Sequence, residues 1–372
     1  MPTWARESEL WMQRMIEALE PSVTRIAAYA PAESHWQGRI PTVALAPAWW
    51  RRANPRGAPL AWKGMGERVL RETLVADAID VVLCHYVNFA LRFERVWRQN
   101  ATPLFVHCHG YDVTWDLRLA AWPYPRRFPR GYLGQIRRLA DRATLIANSH
   151  FTRNRLLAAG LPPERVVVKH LGVPVPGEFP QRRPAPKRLS ILHLGRLVDF
   201  KAPQLTIRAF DLACRQGLDA TLTLAGGGPL AKACRQARRD ALHPERIRLV
   251  GAVDAAAGQR LRAAADIFTA HNCVGAVSGQ EEAFGVSILE AMADGLPVVT
   301  GRSGGVVETV VHEQTGLLFA PGDVEAHAEA LLALARNPQL RRHYGHAGWQ
   351  RAGDHFSLGH ESQRLRQILG SA

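Results

Sequence analysis

The sequence predicts an α/β protein built of two doubly wound, Rossmann-like domains facing each other across a cleft. Three observations carry this reading. Short apolar, β-branched runs alternate with segments whose apolar residues recur every three or four positions, the pattern of parallel βα units. A proline-rich, charged and aperiodic stretch, Val173–Lys187 (VPVPGEFPQRRPAPK), separates two such series. The chain of 372 residues is too long for one small core and suits two domains of ordinary size.

In chain order, the first strands are Thr24–Tyr29, Val81–His85, Leu104–His109, Thr144–Ala147 and Val166–His170, with helical spacing over Glu9–Leu19 and Ile136–Ala140. The second series is Leu189–Leu194, Ala220–Ala225, Ile247–Val250, Ile267–Ala270, Val298–Thr300 and Gly316–Phe319. This places a first domain at 1–175, a linker at 176–187, a second domain at 188–354 and a terminal helical segment at 355–372. In open sheets of this kind ligands bind beyond the carboxyl ends of the strands. A doubly wound domain usually opens on a central strand. Here helical spacing starts by Glu9, which leaves no room for a full strand and loop, so that strand is expected to be missing or to lie upstream.

Composition narrows the class. Hydrophobic residues make up 47% and charged residues 22%, a globular balance. No run approaches the roughly 20 apolar residues of a membrane span. The opening MPTWARESELW has early acids and no apolar core, so no secretory leader is expected. Five cysteines, none in a CxxC pair, suit reduced thiols in the cytoplasm and no zinc site. The net charge of +14 is concentrated in the first half, where residues 1–180 hold 24 Lys and Arg against 15 Asp and Glu. Within it, Leu117–Arg142 carries seven arginines (118, 126, 127, 130, 137, 138, 142) and one acid, Asp141, with Trp122, Tyr124, Phe128 and Tyr132 interleaved. That mixture suits an anionic membrane face. A solvated loop and helix face fits it equally well. No nucleic-acid motif accompanies it, so no nucleic-acid partner is expected.

The segment Glu282–Gly295 (EAFGVSILEAMADG) carries the chemistry. Phe284, Gly285 and Val286 open an apolar helix. A helix entered through glycine leaves backbone N–H groups free, and with the helix dipole these attract an anion. Glu290 lies further along the same helix and can accept two hydrogen bonds from a vicinal diol such as a ribose. Glu282, just ahead of the helix, can do so for the hydroxyls of a sugar. Diol, diphosphate and sugar contacts thus occur in the order in which a nucleotide sugar presents them. An ordinary surface helix with two solvated glutamates fits the bare pattern as well.

The surrounding text resembles the C-terminal half of retaining glycosyltransferase family 4, enzymes of the GT-B fold, in which two glutamates with seven residues between them are the hallmark. The likeness continues in Ile191–Pro203 (ILHLGRLVDFKAP), Thr223–Leu230 (TLAGGGPL), Leu249–Val253 (LVGAV), His109–Asp112 (HGYD) and Ala147–Val173. It is similar to bacterial exopolysaccharide and lipopolysaccharide glycosyltransferases. The resemblance implies that Arg196 and Lys201 bind the donor diphosphate, and that His109 faces the donor sugar, with Glu282 as the second catalytic residue. It ranks Asp112 and Gly305 lower, the first as a partner of His109 or of the acceptor, the second near the phosphates. Gly304 and Glu308 belong to the same loop pattern, and Ser149 matches a further family position. Ala202 stands where the family often has glycine.

The activity that the resemblance implies is that of a hexosyltransferase. It would move a sugar from a UDP- or GDP-linked donor to a glycan or lipid-linked acceptor hydroxyl, with retention and by front-face transfer. Two fixed cations and a helix end already balance the leaving diphosphate, so neither a metal nor a further cofactor is expected. The helix Leu358–Leu369 is expected to return to the first domain, as in related enzymes. The expected location is the cytoplasm, peripheral on the inner face of the membrane. Two other readings use the same fold: a nucleotide-sugar epimerase, or a non-catalytic, membrane-associated family member.

Overall fold

The computed structural model describes residues 3–4, 10–20, 22–23, 25–28, 30–31, 40–46, 63–114, 128, 131–181 and 188–370. The strand expected at 24–29 is therefore described only in part, as are the basic stretch 117–142 and the linker. The described residues fall into two compact units. One comprises residues up to 119, 126–170 and from 361 onward; the other contains 171–360.

The first unit is built on a four-stranded parallel sheet in the order β5 (Val82–His85), β6 (Leu104–Cys108), β7 (Ala143–Ala147), β8 (Val166–Val168). Four shorter strands form two parallel pairs beside it. β2 (Ile26–Ala28) pairs with β4 (Thr42–Ala44), and β1 (Thr3–Trp4) with β3 (Ala30–Pro31). A two-residue strand thus precedes the first helix, where the sequence left no room for a full one. Every residue of β6 is buried, because alternate side chains enter two separate cores. Val106 and Cys108 join Ile136, Leu139 and Leu156 on one face. Phe105 meets Met15, Leu19, Leu365 and Ile368 on the other.

Met15 and Leu19 come from a helix near the start of the chain and the turn that follows it, Leu365 and Ile368 from a helix near its end. In the first, Leu10–Glu17, Met12, Met15 and Ile16 are buried at helical spacing. The second, Leu358–Leu369, lies in the first unit from Glu361 onward. It is fixed there by a buried ion pair between Lys169 and Glu361 and by Arg366, which donates to the Ala18 carbonyl at 2.7 Å. The helix Pro338–Phe356 precedes it and stays in the second unit.

The second unit is one six-stranded parallel sheet. Its strands are β9 (Leu189–Leu194), β10 (Ala220–Ala225), β11 (Ile247–Gly251), β12 (Ile267–Ala270), β13 (Val298–Gly301) and β14 (Gly316–Phe319), in the spatial order β11-β10-β9-β12-β13-β14. The chain runs outward from β9 to β11, then returns to the other side of β9 at β12. That reversal opens a crevice beyond the carboxyl ends of β9 and β12, the place where such sheets bind ligands.

The two compact units divide between His170 and Leu171. Val173 donates its N–H to the Phe356 carbonyl at 2.9 Å and bridges Ser357, so this stretch is already part of the second unit. The described start of the linker is tied there too: Trp349 Nε1 donates to the Pro176 carbonyl, and Phe179 packs against His346 and Trp349.

Candidate active site

At the reversal, β9 delivers Gly195 and Arg196 into the crevice. Arg196 is exposed, with its guanidinium 6.0 Å from the Phe200 ring. The turn at Gly226–Gly228 braces this loop, since Gly227 accepts from the Leu197 N–H at 2.9 Å. A short 3-10 turn, Asp199–Lys201, comes next. Lys201 Nζ lies 2.7 Å from Glu282 Oε2, with both side chains largely buried. Burial and the nearby Lys201 charge push the fully buried His193 down to about 3. Ala202 sits at φ 35°, in the left-handed region that favours glycine.

Asp199 was not singled out in the sequence, yet it organises this corner. Its carboxylate accepts from the N–H groups of Phe200, Val277 and Ser278 and from the Ser278 hydroxyl, at 2.6–3.0 Å. The loop ahead of Glu282 is thereby tied to the turn that carries Lys201. An aspartate between an apolar strand and a lysine gives no periodic signal, which is why the pattern alone does not reveal it.

Gly285 enters the helix Val286–Ala293 at φ 87°, a conformation that costs a side-chain-bearing residue about 1 kcal/mol or more. The N–H groups of Val286 and Ser287 have no partner among the described residues. Phe284 is only 1% exposed and packs edge-on against Phe356, so its side chain is closed to a ligand. Glu290 projects from the same helix and is held by Arg262, whose Nη1 is 3.0 Å from Glu290 Oε2 while its Nε reaches Asp294 Oδ2 at 2.6 Å. Arg262 was also missed in the sequence, because one arginine in an Ala-rich helix reads as solvated.

Gly305 is already bonded within the protein. Its N–H is donated to the Glu282 carbonyl at 2.7 Å, and a Cβ there would stand 2.1 Å from the Ala283 carbonyl oxygen. It therefore offers no donor to an anion. It lets the Gly304–Gly305 loop press against the backbone of residues 282–284.

In the first unit, His109 lies one residue past β6 rather than in the strand. Its ring is framed by Trp11 at 4.4 Å, Tyr86 at 4.5 Å and His107 at 4.3 Å between centroids. Nδ1 of His85 and Nδ1 of His107 approach His109 Nε2 at 3.1 Å and 3.0 Å. Burial first, then neighbouring positive groups including Lys169, holds all three imidazoles well below their usual range and hence neutral. Their ligand atoms lie within 4.8 Å of one another, the one grouping in the described part of this unit that a borderline cation would fit.

Asp112 does not orient the His109 ring. Its carboxylate accepts from the backbone N–H groups of His109 and Val87, each at 2.9 Å, and is fully buried. Burial pushes it up to about 6 against those hydrogen bonds. Ser149 caps the helix His150–Ala158 through Thr152 N–H. Of the basic stretch, Tyr132 is buried and stacked on Phe128, and Arg137 donates twice to the Ala159 carbonyl. These groups serve the fold. Arg118, Arg126, Arg127 and Arg130 lie outside the described residues. No described helix is long and apolar enough to cross a membrane.

Two Rossmann-like units, with cations, paired acids and an open helix end gathered at the switch point of the second, define a glycosyltransferase of the GT-B fold. Residues 177–351 match the family model described as Glycosyl transferases group 1, and residues 18–175 that described as Glycosyltransferase Family 4. The chain belongs to glycosyltransferase family 4. It is 30% identical over 284 residues to a GDP-mannose-dependent alpha-(1-6)-phosphatidylinositol monomannoside mannosyltransferase of Mycolicibacterium smegmatis, covering 73% of this chain and 71% of that protein. It is 31% identical to the amylovoran biosynthesis glycosyltransferase AmsK of Erwinia amylovora, over 70% of this chain and 62% of that protein, which is less than two thirds of its length. Anabaena Alr3699/HepE, solved in complex with UDP, shares the fold with a TM-score of 0.77 at 19% identity, covering 100% of this chain and 98% of that one. Sucrose-phosphate synthase of Thermosynechococcus elongatus shares it with a TM-score of 0.77 at 19% identity, covering 100% and 96%.

Proposed function

We propose that the chain transfers a hexose from a UDP- or GDP-linked donor to a hydroxyl of a glycan or lipid-linked acceptor, with retention at the anomeric carbon. The observation that carries this reading is the Lys201–Glu282 pair beside the open end of Val286–Ala293. Arg196, Lys201 and the N–H groups of Val286 and Ser287 would receive the diphosphate. Glu290, held by Arg262, would accept from the ribose diol. Glu282 would turn from Lys201 to the sugar hydroxyls once the lysine meets phosphate. The relatives support this: one is GDP-mannose-dependent, another serves amylovoran biosynthesis, and HepE has been solved with UDP-glucose.

As the bond from the anomeric carbon to the diphosphate oxygen breaks, negative charge grows on that oxygen. Fixed cations and a helix end stabilise it there, in a site partly screened from water. The acceptor oxygen bonds to the same face of the carbon, and its proton passes to the departing diphosphate. Transfer on this scheme needs no metal. The first unit is assigned the acceptor. His109, neutral and able to donate or accept, is assigned a hydrogen bond to a sugar hydroxyl. The basic first half suits a cytoplasmic enzyme that works on the inner membrane face.

A screen of purified protein against UDP- and GDP-hexoses tests this, scoring binding, slow hydrolysis and transfer. One donor should bind and turn over, and Glu282→Ala should abolish turnover. Unchanged turnover in that variant would sink the site assignment. Isomerised sugar formed without an acceptor would identify an epimerase.

A further inference from the structure

β5 and β6 pair in register with His85 beside His107, and side chains at registered positions of neighbouring strands share a face. His109 stands two residues beyond His107 and falls on the same side. Its ring centroid is 4.3 Å from that of His107 and 5.3 Å from that of His85. Three imidazoles thus meet at the carboxyl end of this sheet. Hydrogen bonds among them do not account for how their nitrogens converge. Nδ1 of His85 and Nδ1 of His107 both approach one atom, His109 Nε2. A neutral imidazole nitrogen holds either one proton or one lone pair, so Nε2 makes a straight bond to only one of them. His107 also keeps Nε2 buried with no partner among the described residues.

A shared cation removes the conflict, because each ring then contributes a lone pair. Zinc takes imidazole nitrogens at about 2.0–2.1 Å, and tetrahedral geometry then sets neighbouring nitrogens about 3.3 Å apart. Two of the three edges here are 3.1 Å and 3.0 Å, and the third is under 4.8 Å. His107 Nδ1 lies 3.2 Å from His109 Nδ1 as well, so it faces the flank of that ring. A turn of the His109 ring aims its Nε2 lone pair into the group. His85 and His107 are buried while His109 is half-buried, which leaves the fourth position to solvent, the arrangement of open zinc sites with three histidines. Burial keeps all three rings neutral, the form that ligates. The charge of Lys169 nearby is paired with Glu361, and the Asp112 carboxylate on the His109 N–H supplies countercharge.

We propose that His85, His107 and His109 bind a borderline divalent cation of the zinc class, and that the bound ion withdraws His109 from the sugar and halts transfer. The ion is then an inhibitor rather than a cofactor. The inhibitory half rests on the assignment of His109 to a sugar hydroxyl made above; the binding half stands on the geometry of the three rings.

The test titrates the full, tag-free chain, stripped with a chelator, first with Co2+ and then with Zn2+. About one Co2+ per chain should give the strong visible absorption of a tetrahedral centre, and Zn2+ should displace it. The Trp11 ring lies 4.4 Å from that of His109, so Co2+ should quench its fluorescence. Trp11→Phe should lose that quenching and keep the absorption. His85→Gln and His107→Gln should each weaken Co2+ binding at least ~100-fold, since even groups behind a ligand cost about 10–100-fold. In transfer assays Zn2+ should inhibit over the same concentrations at which it displaces Co2+, and EDTA should restore the rate. The proposal is overturned if the parent chain gives no tetrahedral Co2+ absorption, or if both glutamine variants bind Co2+ as the parent does. Co2+ binding at the three rings with transfer untouched by saturating Zn2+ overturns the inhibitory half alone, and with it the assignment of His109 to the sugar.

Discussion

Replacing Lys201 with methionine separates its electrostatic role from its packing. Its Nζ lies 2.7 Å from Glu282 Oε2, and the two side chains are 13% and 12% exposed. Loss of the cation leaves a mostly buried carboxylate without its partner. A fully buried pair broken in this way costs ~3–5 kcal/mol and an exposed one at most ~1, so about 2 kcal/mol is expected here. In a unit of this size that lowers Tm by roughly 4–8 °C. The effect on catalysis is separate. Removing one preorganised group that stabilises the leaving charge costs about 100-fold or more in kcat. The double variant Lys201→Met, Glu282→Gln should regain most of the Tm but none of the activity, since the carboxylate is neutralised and the cation is still gone. Scanning calorimetry and steady-state transfer assays read the two effects. A Lys201→Met enzyme within about threefold of the parent kcat would refute the reasoning, because the leaving group would then be stabilised elsewhere.

Arg262→Ala should raise KM for the donor about tenfold with kcat little changed, because it positions Glu290 against a diol that does not react; initial-rate kinetics over donor concentration check this. Lys169→Met leaves Glu361 buried and unpaired and should cost ~3–5 kcal/mol, whereas Lys169→Met with Glu361→Leu should recover most of it in denaturant titrations. Stability should also depend on acid. Burial pushes His193 down to about 3 and His271 to about 4 in the folded chain, against about 6.5 when unfolded. The unfolded state binds more protons between those values, so stability falls as pH drops from 6.5 toward 4, by up to ~1.4 kcal/mol per pH unit for each histidine. Asp112, raised to about 6, acts in the opposite sense over the same window. The Tm measured across pH 4–7 should therefore fall toward acid, and His193→Leu should flatten the fall.

The fold was legible because parallel strands buried on both faces read as unbroken apolar runs. β9, β10, β12 and β14 stand where those runs place them. Strand ends were less so: the sequence reading carried two strands on to His109 and His170, whereas the ladders stop at Cys108 and Val168 and both histidines are only half-buried. The donor corner was legible in Glu282, Gly285 and Glu290, since a glycine before an apolar helix has a local cause. Asp199 and Arg262 were not, because a carboxylate that bonds backbone N–H groups as far as 79 residues away in sequence leaves no trace in spacing. Gly305 shows the converse. Its loop matches a pattern, but only the structure shows that its N–H is already committed. The convergence of His85, His107 and His109 depends on β5 and β6 lying side by side, and no local window contains it.

At the centre of the proposed reaction is a fixed-cation donor site that releases a nucleoside diphosphate with retention. The direct measurement is proton NMR of the sugar anomer first formed from an α-linked donor, with EDTA present throughout. Such a site predicts the α-anomer at a rate unchanged by chelation and lost in Lys201→Met. First appearance of the β-anomer, or a rate that collapses with EDTA and returns with a divalent cation, would contradict it.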